Sequence, residues 1–222
     1  MICAGERCGE VWTCLESYLE EAAGIALCWI RPAIRQGERR VYRLNRTSIR
    51  VDAAIFHEVR PLPIEAARHG EMRILFDPEG RVRPAEYPLE QEREMMGRAL
   101  YNALMNFELC GTFFRKDLAR GRPVQALSSY HNNALLPFIM VLRMAHGNAR
   151  WDFQLRYVDQ DLPVTVLLKV LPLCYPKGTA DLEHHYRTIS DMMQAARNAL
   201  EFRGIFPITP AGGTVRIPRA IP

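Results

Sequence analysis

The chain has 222 residues, 48% of them hydrophobic and 24% charged, which places it among globular proteins and excludes disordered and fibrous chains. Its 29 Lys and Arg against 25 Asp and Glu leave a net charge of +4, too small an excess to build a nucleic-acid surface by itself. The apolar run GIALCWI, residues 24–30, falls far short of the roughly 20 residues of a membrane span, and the opening MICAGERCGE lacks the basic and apolar regions of a secretory signal, so a cytoplasmic protein is expected.

Periodicity divides the chain into a strand-and-turn α/β module over residues 1–86, a helical bundle over 87–204 and a Pro/Gly-rich tail over 205–222. In the first part, Val11, Leu15 and Leu19 predict a helix over residues 10–22, followed by an extended segment over 26–31. Residues 40–44 and 48–56 predict two strands joined by Asn45-Arg46-Thr47, a hairpin pattern. A further strand is expected over 72–76, ending in the Asp77-Pro78-Glu79-Gly80 turn.

The helical part opens with a stripe of Met96, Leu100, Leu104 and Phe107 on a helix over 89–117, broken at Arg120-Gly121-Arg122-Pro123. A second helical stretch runs over 124–146, where Pro137 predicts a kink or interruption. Asp161-Leu162-Pro163 predicts a helix start, with Asp161 as cap. The last helix repeats Leu182, Tyr186, Ile189, Met193, Ala196 and Leu200, with Thr179 as expected cap and Gly204 as its end. The tail beyond, with four prolines and no acid, predicts an extended or disordered arm.

Six dispersed cysteines without a C-x-x-C predict reduced thiols, and the spacing of Cys3, Cys8 and Cys14 does not suit structural zinc. Adjacent His184 and His185 point about a quarter-turn apart and, like His131, are expected at the surface or against a partner. The pairs Met95-Met96 and Met192-Met193 fill core gaps, and Trp12, Trp29 and Trp151 are too scattered for a stacking ladder. Asp52 stands out, because a carboxylate inside an apolar strand requires a cation, a metal or an exposed face. A half-exposed strand with Asp52 paired to Arg50 or Arg43 satisfies that requirement, and so does a metal.

The run RRVYRLNRTSIRVDAAIF, which carries Asp52, followed by Arg73-Ile-Leu-Phe-Asp77-Pro-Glu-Gly80, resembles the second half of the nucleotidyltransferase domain of the kanamycin and streptomycin type. Phe107, Lys116, Leu118 and Arg120-Gly121, then Phe153-x-x-Arg156-Tyr157 and Leu162-Pro163, are similar to that family's helical segments, so the likeness spans most of residues 40–200. The resemblance implies an α+β fold in which a partial mixed sheet precedes a C-terminal helical bundle. It also implies transfer of a nucleotidyl group from an NTP to a small hydroxylated acceptor with Mg²⁺. Asp52 would be the catalytic, metal-binding third carboxylate, and Lys116 and Arg120 would be nucleotide-binding, although with Arg115 and Arg122 they also suit a solvated helix end whose cations meet the negative dipole terminus; the family's glutamate base is matched by Asn106.

The pattern departs at its start. The chain has no Gly-Ser dipeptide, and its one Asp-x-Asp, Asp159-Gln160-Asp161, lies in the helical part. Residue 1 then falls after the strand that carries the family's first two carboxylates, so this chain alone is expected to be a poor catalyst or none. A truncated frame, a degenerate binding form and a subunit completed by another chain all fit. So does a non-catalytic helical interaction protein, and an incomplete sheet predicts a homodimer.

Overall fold

The structure, a computed structural model, describes residues 7–31, 37–45, 47–56, 65–75, 77, 89–147 and 149–212. It divides into two compact units, Met1–Ala85 and Glu86–Pro222. The class is α+β: a small three-stranded sheet in the first unit and helices that dominate the second.

In the first unit α1 (Cys8–Ala23) buries Cys8, Trp12, Leu19 and Ala23, with Val11 and Leu15 packed beside them. Residues spaced by three, four and seven share one side of a helix, which is why these form a single stripe. Gly24 ends it in a left-handed conformation (φ 68°). Strands β1 (Ile25–Arg31), β2 (Gly37–Leu44) and β3 (Arg50–Phe56) form a sheet in the order β1-β2-β3. The pairing is antiparallel throughout, where a mixed sheet was expected, because consecutive strands with short connections fold back on one another as hairpins. Tyr42, Leu44 and Ile55 from the sheet complete the small core under α1.

Residues 71–75 form no strand, although 72–76 read as one from composition. Leu75 is 83% exposed and Ile74 48% exposed, so this apolar run lacks the buried face that would hold it in a sheet. The short helix α2 (Ala66–His69) precedes it. The turn expected at Asp77-Pro78-Glu79-Gly80 lies largely outside the described residues.

The second unit is built on α3 (Leu89–Ala119), a 31-residue helix whose predicted stripe of Met96, Leu100, Leu104 and Phe107 is buried. After the break at Gly121 come α4 (Pro123–Ser129), a π-helical turn (Tyr130–Leu135) and α5 (Leu136–Ala145). The α-helical run is thus interrupted next to Pro137, as expected, by a π-helical turn rather than by a break in the helix. The wider turn just before it, where the Leu136 N–H bonds to the His131 carbonyl five residues back, absorbs the missing donor and the crowding of the ring. Tyr130, at the start of that turn, donates its buried hydroxyl to the Leu173 carbonyl at 2.7 Å.

A short α6 (Val158–Asp161) leads to α7 (Val164–Cys174), and α8 (Thr179–Phe202) closes the bundle. Thr179 is the first residue of α8 rather than its cap: Gly178 holds the cap position without a side-chain bond, and Asp181 accepts the Lys177 N–H at 2.7 Å instead. Gly204 ends the helix as predicted, in a left-handed turn (φ 75°) that returns the Ile205 N–H to the Leu200 carbonyl.

Beyond Gly204 the chain is not a free arm as far as residue 212. Ile205 is buried, and the Ile208 N–H bonds to the Gly97 carbonyl at 2.9 Å. A Cβ at position 97 would stand 2.7 Å from both Ile208 Cδ1 and the Phe206 carbonyl, so glycine is what lets this segment lie against α3. Residues 213–222 lie outside the described ones.

Candidate functional site

Asp52 sits mid-way along β3, opposite Val41 of β2. Alternation puts Val51, Ala53 and Ile55 against the α1 core and turns Asp52 to the other face of the sheet. There Arg39 grips its carboxylate with both arms of the guanidinium, Nε on Oδ1 at 2.7 Å and Nη2 on Oδ2. The hydrogen bonds from Arg39 hold the Asp52 carboxyl below the usual aspartate value, against partial burial, with Arg50 and Arg31 adding to the effect. The exposed-face reading thus describes Asp52, but with Arg39 as partner in place of Arg50 or Arg43. Pairing two residues apart across neighbouring strands is set by register, which no local pattern reveals.

A two-metal centre does not fit the described residues. Asp52 has no second carboxylate beside it, no group of three His, Cys, Asp or Glu gathers anywhere among those residues, and a Mg²⁺ ion at Asp52 would have to displace a bidentate arginine.

Asp159-Gln160-Asp161 also has a role other than capping. Asp161 lies on the side of a buried network, with its carboxyl shared between Nη2 of Arg143, from α5, and Nη2 of Arg150. The Arg143 side chain is 0% exposed and the Asp161 side chain 1%. Arg143 also donates to the Gln154 carbonyl at 2.7 Å, inside a loop where Gln154 and Tyr157 take positive φ (52° and 62°). Arg150 and Arg156 lie over the Tyr157 ring at 4.8 and 5.1 Å. The cap of α7 falls to Pro163.

Lys116 and Arg120 lie in the last turn of α3 and just beyond it, both exposed. They continue a face that reads Asn106, Leu109, Phe113, Lys116 and Arg120, at spacings of three, four, three and four. Leu109 is 55% exposed and Phe113 47%. No carboxylate among the described residues pairs with either cation. Arg115, by contrast, turns to α8 and binds Glu183 at 3.0 and 3.3 Å. A cleft of about 530 Å³ lies nearby, lined by Leu118, Gly121, Pro123, Thr179 and Ala180, and neither Lys116 nor Arg120 lines it. Phe107 is a core residue: its ring stacks on Tyr186 at 4.7 Å, and Gly111 leaves room for the Tyr186 hydroxyl.

The histidine pair separates. His184 is exposed, while His185 is 9% exposed and its buried Nδ1 has no hydrogen-bond partner among the described residues. Burial holds the His185 pKa below the ordinary histidine value; the Asp181 carboxylate opposes this and His184 adds to it. A folded-state pKa below the unfolded value of about 6.5 contributes stability above that pH and loses it as pH falls through the folded value. The melting temperature is therefore expected to drop as pH is lowered below about 6.5. His185→Gln should flatten that drop; a variant that keeps the parent's pH profile would remove His185 as its source.

Comparison of the chain with protein-family models, with curated proteins and with solved structures returned no match in any of the three.

Proposed function

We propose that this chain is a nucleotide-binding protein of nucleotidyltransferase type, in which the helical unit takes the nucleotide and the described carboxylates do not themselves assemble a transfer centre. The observation that carries this reading is the exposed face of α3. Leu109 and Phe113 offer an apolar seat for a base, and Lys116 and Arg120 follow within about 10 Å of Phe113 along the helix, with no carboxylate among the described residues competing for them. A cation without a protein partner keeps its full capacity to bind phosphate, and arginine matches phosphate oxygens with two parallel donors.

Calorimetric titration of the chain with ATP and GTP, each with Mg²⁺ and with EDTA, tests it. Binding is expected to persist in EDTA, because side-chain cations rather than a protein-held metal receive the phosphates. Lys116→Ala with Arg120→Ala should weaken it roughly ten- to hundred-fold, the loss of two charge-assisted contacts. Absence of binding, or an unchanged affinity in the double variant, would overturn the reading.

A second reading, a helical interaction protein, draws on α7. Val164, Leu168 and Leu171 of that helix, with Tyr175 just past its end, are 70%, 63%, 41% and 75% exposed and follow one another at helical spacing, an apolar stripe turned outward.

A further inference from the structure

The register of the sheet sorts its outer face into rows, three of which cross all three strands, with Gly37 opposite Phe56 beyond them. Leu27, Arg43 and Arg50 stand opposite one another in the first, Trp29, Val41 and Asp52 in the second, and Arg31, Arg39 and Ala54 in the third. Among the described residues four arginines of these rows thus share the face with one carboxylate, and that carboxylate is taken by Arg39. Arg43 and Arg50 are exposed and directly opposed, with no carboxylate bound to either among the described residues. Like charges placed opposite each other on neighbouring strands destabilise a sheet, so this arrangement does not serve folding. Its free donors are matched by an anion.

The row between the two arginine rows carries Trp29, 54% exposed, with the Arg31 guanidinium 4.6 Å from its ring centroid. An aromatic ring and a guanidinium plane are the two surfaces on which unpaired bases stack. The arginine rows are four residues apart along each strand, about 13 Å, so a chain of repeated negative charges can touch both while something flat sits on the indole.

We propose that this face of the sheet binds single-stranded nucleic acid, with Arg43, Arg50 and Arg31 on the phosphates and Trp29 under a base. An acidic peptide would use the arginines and leave the indole idle, and a duplex has no unstacked base to offer it. The surface stands apart from the nucleotide reading of α3, since none of its residues belongs to the helical unit. It is invisible in the net charge of +4 because the remaining charges elsewhere in the chain nearly cancel.

The test is fluorescence anisotropy of the full chain with labelled oligothymidylate and oligouridylate of about ten nucleotides, between about 50 and 200 mM salt. Binding is expected at low salt and should weaken with a log–log slope near −2, as three phosphate contacts on a single strand require. Arg43→Glu with Arg50→Glu should abolish most of the salt dependence and weaken binding at least about thirty-fold. Trp29→Ala should weaken it roughly five- to hundred-fold at unchanged slope, and Trp29→Phe should retain most of it, which separates stacking from charge. Circular dichroism of each variant checks that the sheet persists. No anisotropy change at about 100 µM chain would overturn the proposal. So would full affinity in Trp29→Ala, or displacement of the oligonucleotide by polyglutamate at equal charge, which would mark an acid-binding surface for protein.

Discussion

Asp161→Ala is expected to destabilise the helical unit by about 3–5 kcal/mol, the cost of stripping one partner from a buried ion pair. Arg143 has a fully buried side chain and, among the described residues, no partner at Nε, so its charge is left with only the Gln154 carbonyl when the carboxylate is removed. Arg150, 26% exposed at the side chain, can turn outward to water. A loss of this size is a large share of a stability of about 5–15 kcal/mol, and should lower the melting temperature by about 10–20 °C. A double variant, Arg143→Met with Asp161→Leu, removes both buried charges together and is expected to recover much of the loss. Thermal unfolding followed by circular dichroism measures both. A single-variant loss below about 1 kcal/mol would place Asp161 in the class of surface pairs and contradict its burial.

Trp12→Ala should act as strongly on the first unit, costing about 3–5 kcal/mol. Among the described residues the core there comprises Cys8, Trp12, Leu19, Ala23, Tyr42, Leu44 and Ile55, and Trp12 is the largest of them. Its ring also lies 4.4 Å under the Arg40 guanidinium, which in turn reaches Glu16 of α1 at 2.7 Å. Burial acts to raise the Glu16 carboxyl, but the bonds from Arg40 and from the Tyr42 hydroxyl outweigh it and hold it below its ordinary value. Losing the indole therefore empties the centre of the core and undercuts the polar contact that docks α1 on the sheet. A domain of this size has little stability in reserve. Hydrogen exchange should show the amides of β2 losing protection, with those of α3 and α5 as the internal reference. Retained protection in β2 would show that the sheet is held by something other than this core.

Much of the fold was legible residue by residue. The stripes Val11-Leu15-Leu19 and Leu182-Tyr186-Ile189-Met193-Ala196-Leu200 are periodic over contiguous sequence, and Gly204 ends its helix for a reason local to its own backbone. Trp12 could have been added to the first stripe, since it falls four residues after Cys8 and seven before Leu19. Residues 71–75 failed as a strand because an apolar run needs a partner surface, and sequence alone supplied only the run. The candidate site was less legible. Asp52 was identifiable as a carboxylate needing a partner, and Lys116 and Arg120 as sharing a helix face, but not which groups would meet them.

Local rules thus determined the α+β class, the helix stripes and the stop at Gly204, because each depends on residues within a turn or two of one another. Partner choice was decided only in three dimensions. Asp161 meets Arg143 across 18 positions, Asp52 meets Arg39 across 13, and Ile208 meets Gly97 through a gap that exists because α3 carries no side chain there. The same holds for the two arginine rows of the sheet: composition counts charges, whereas strand register decides which of them stand together, and electrostatic energy depends on the distance between them.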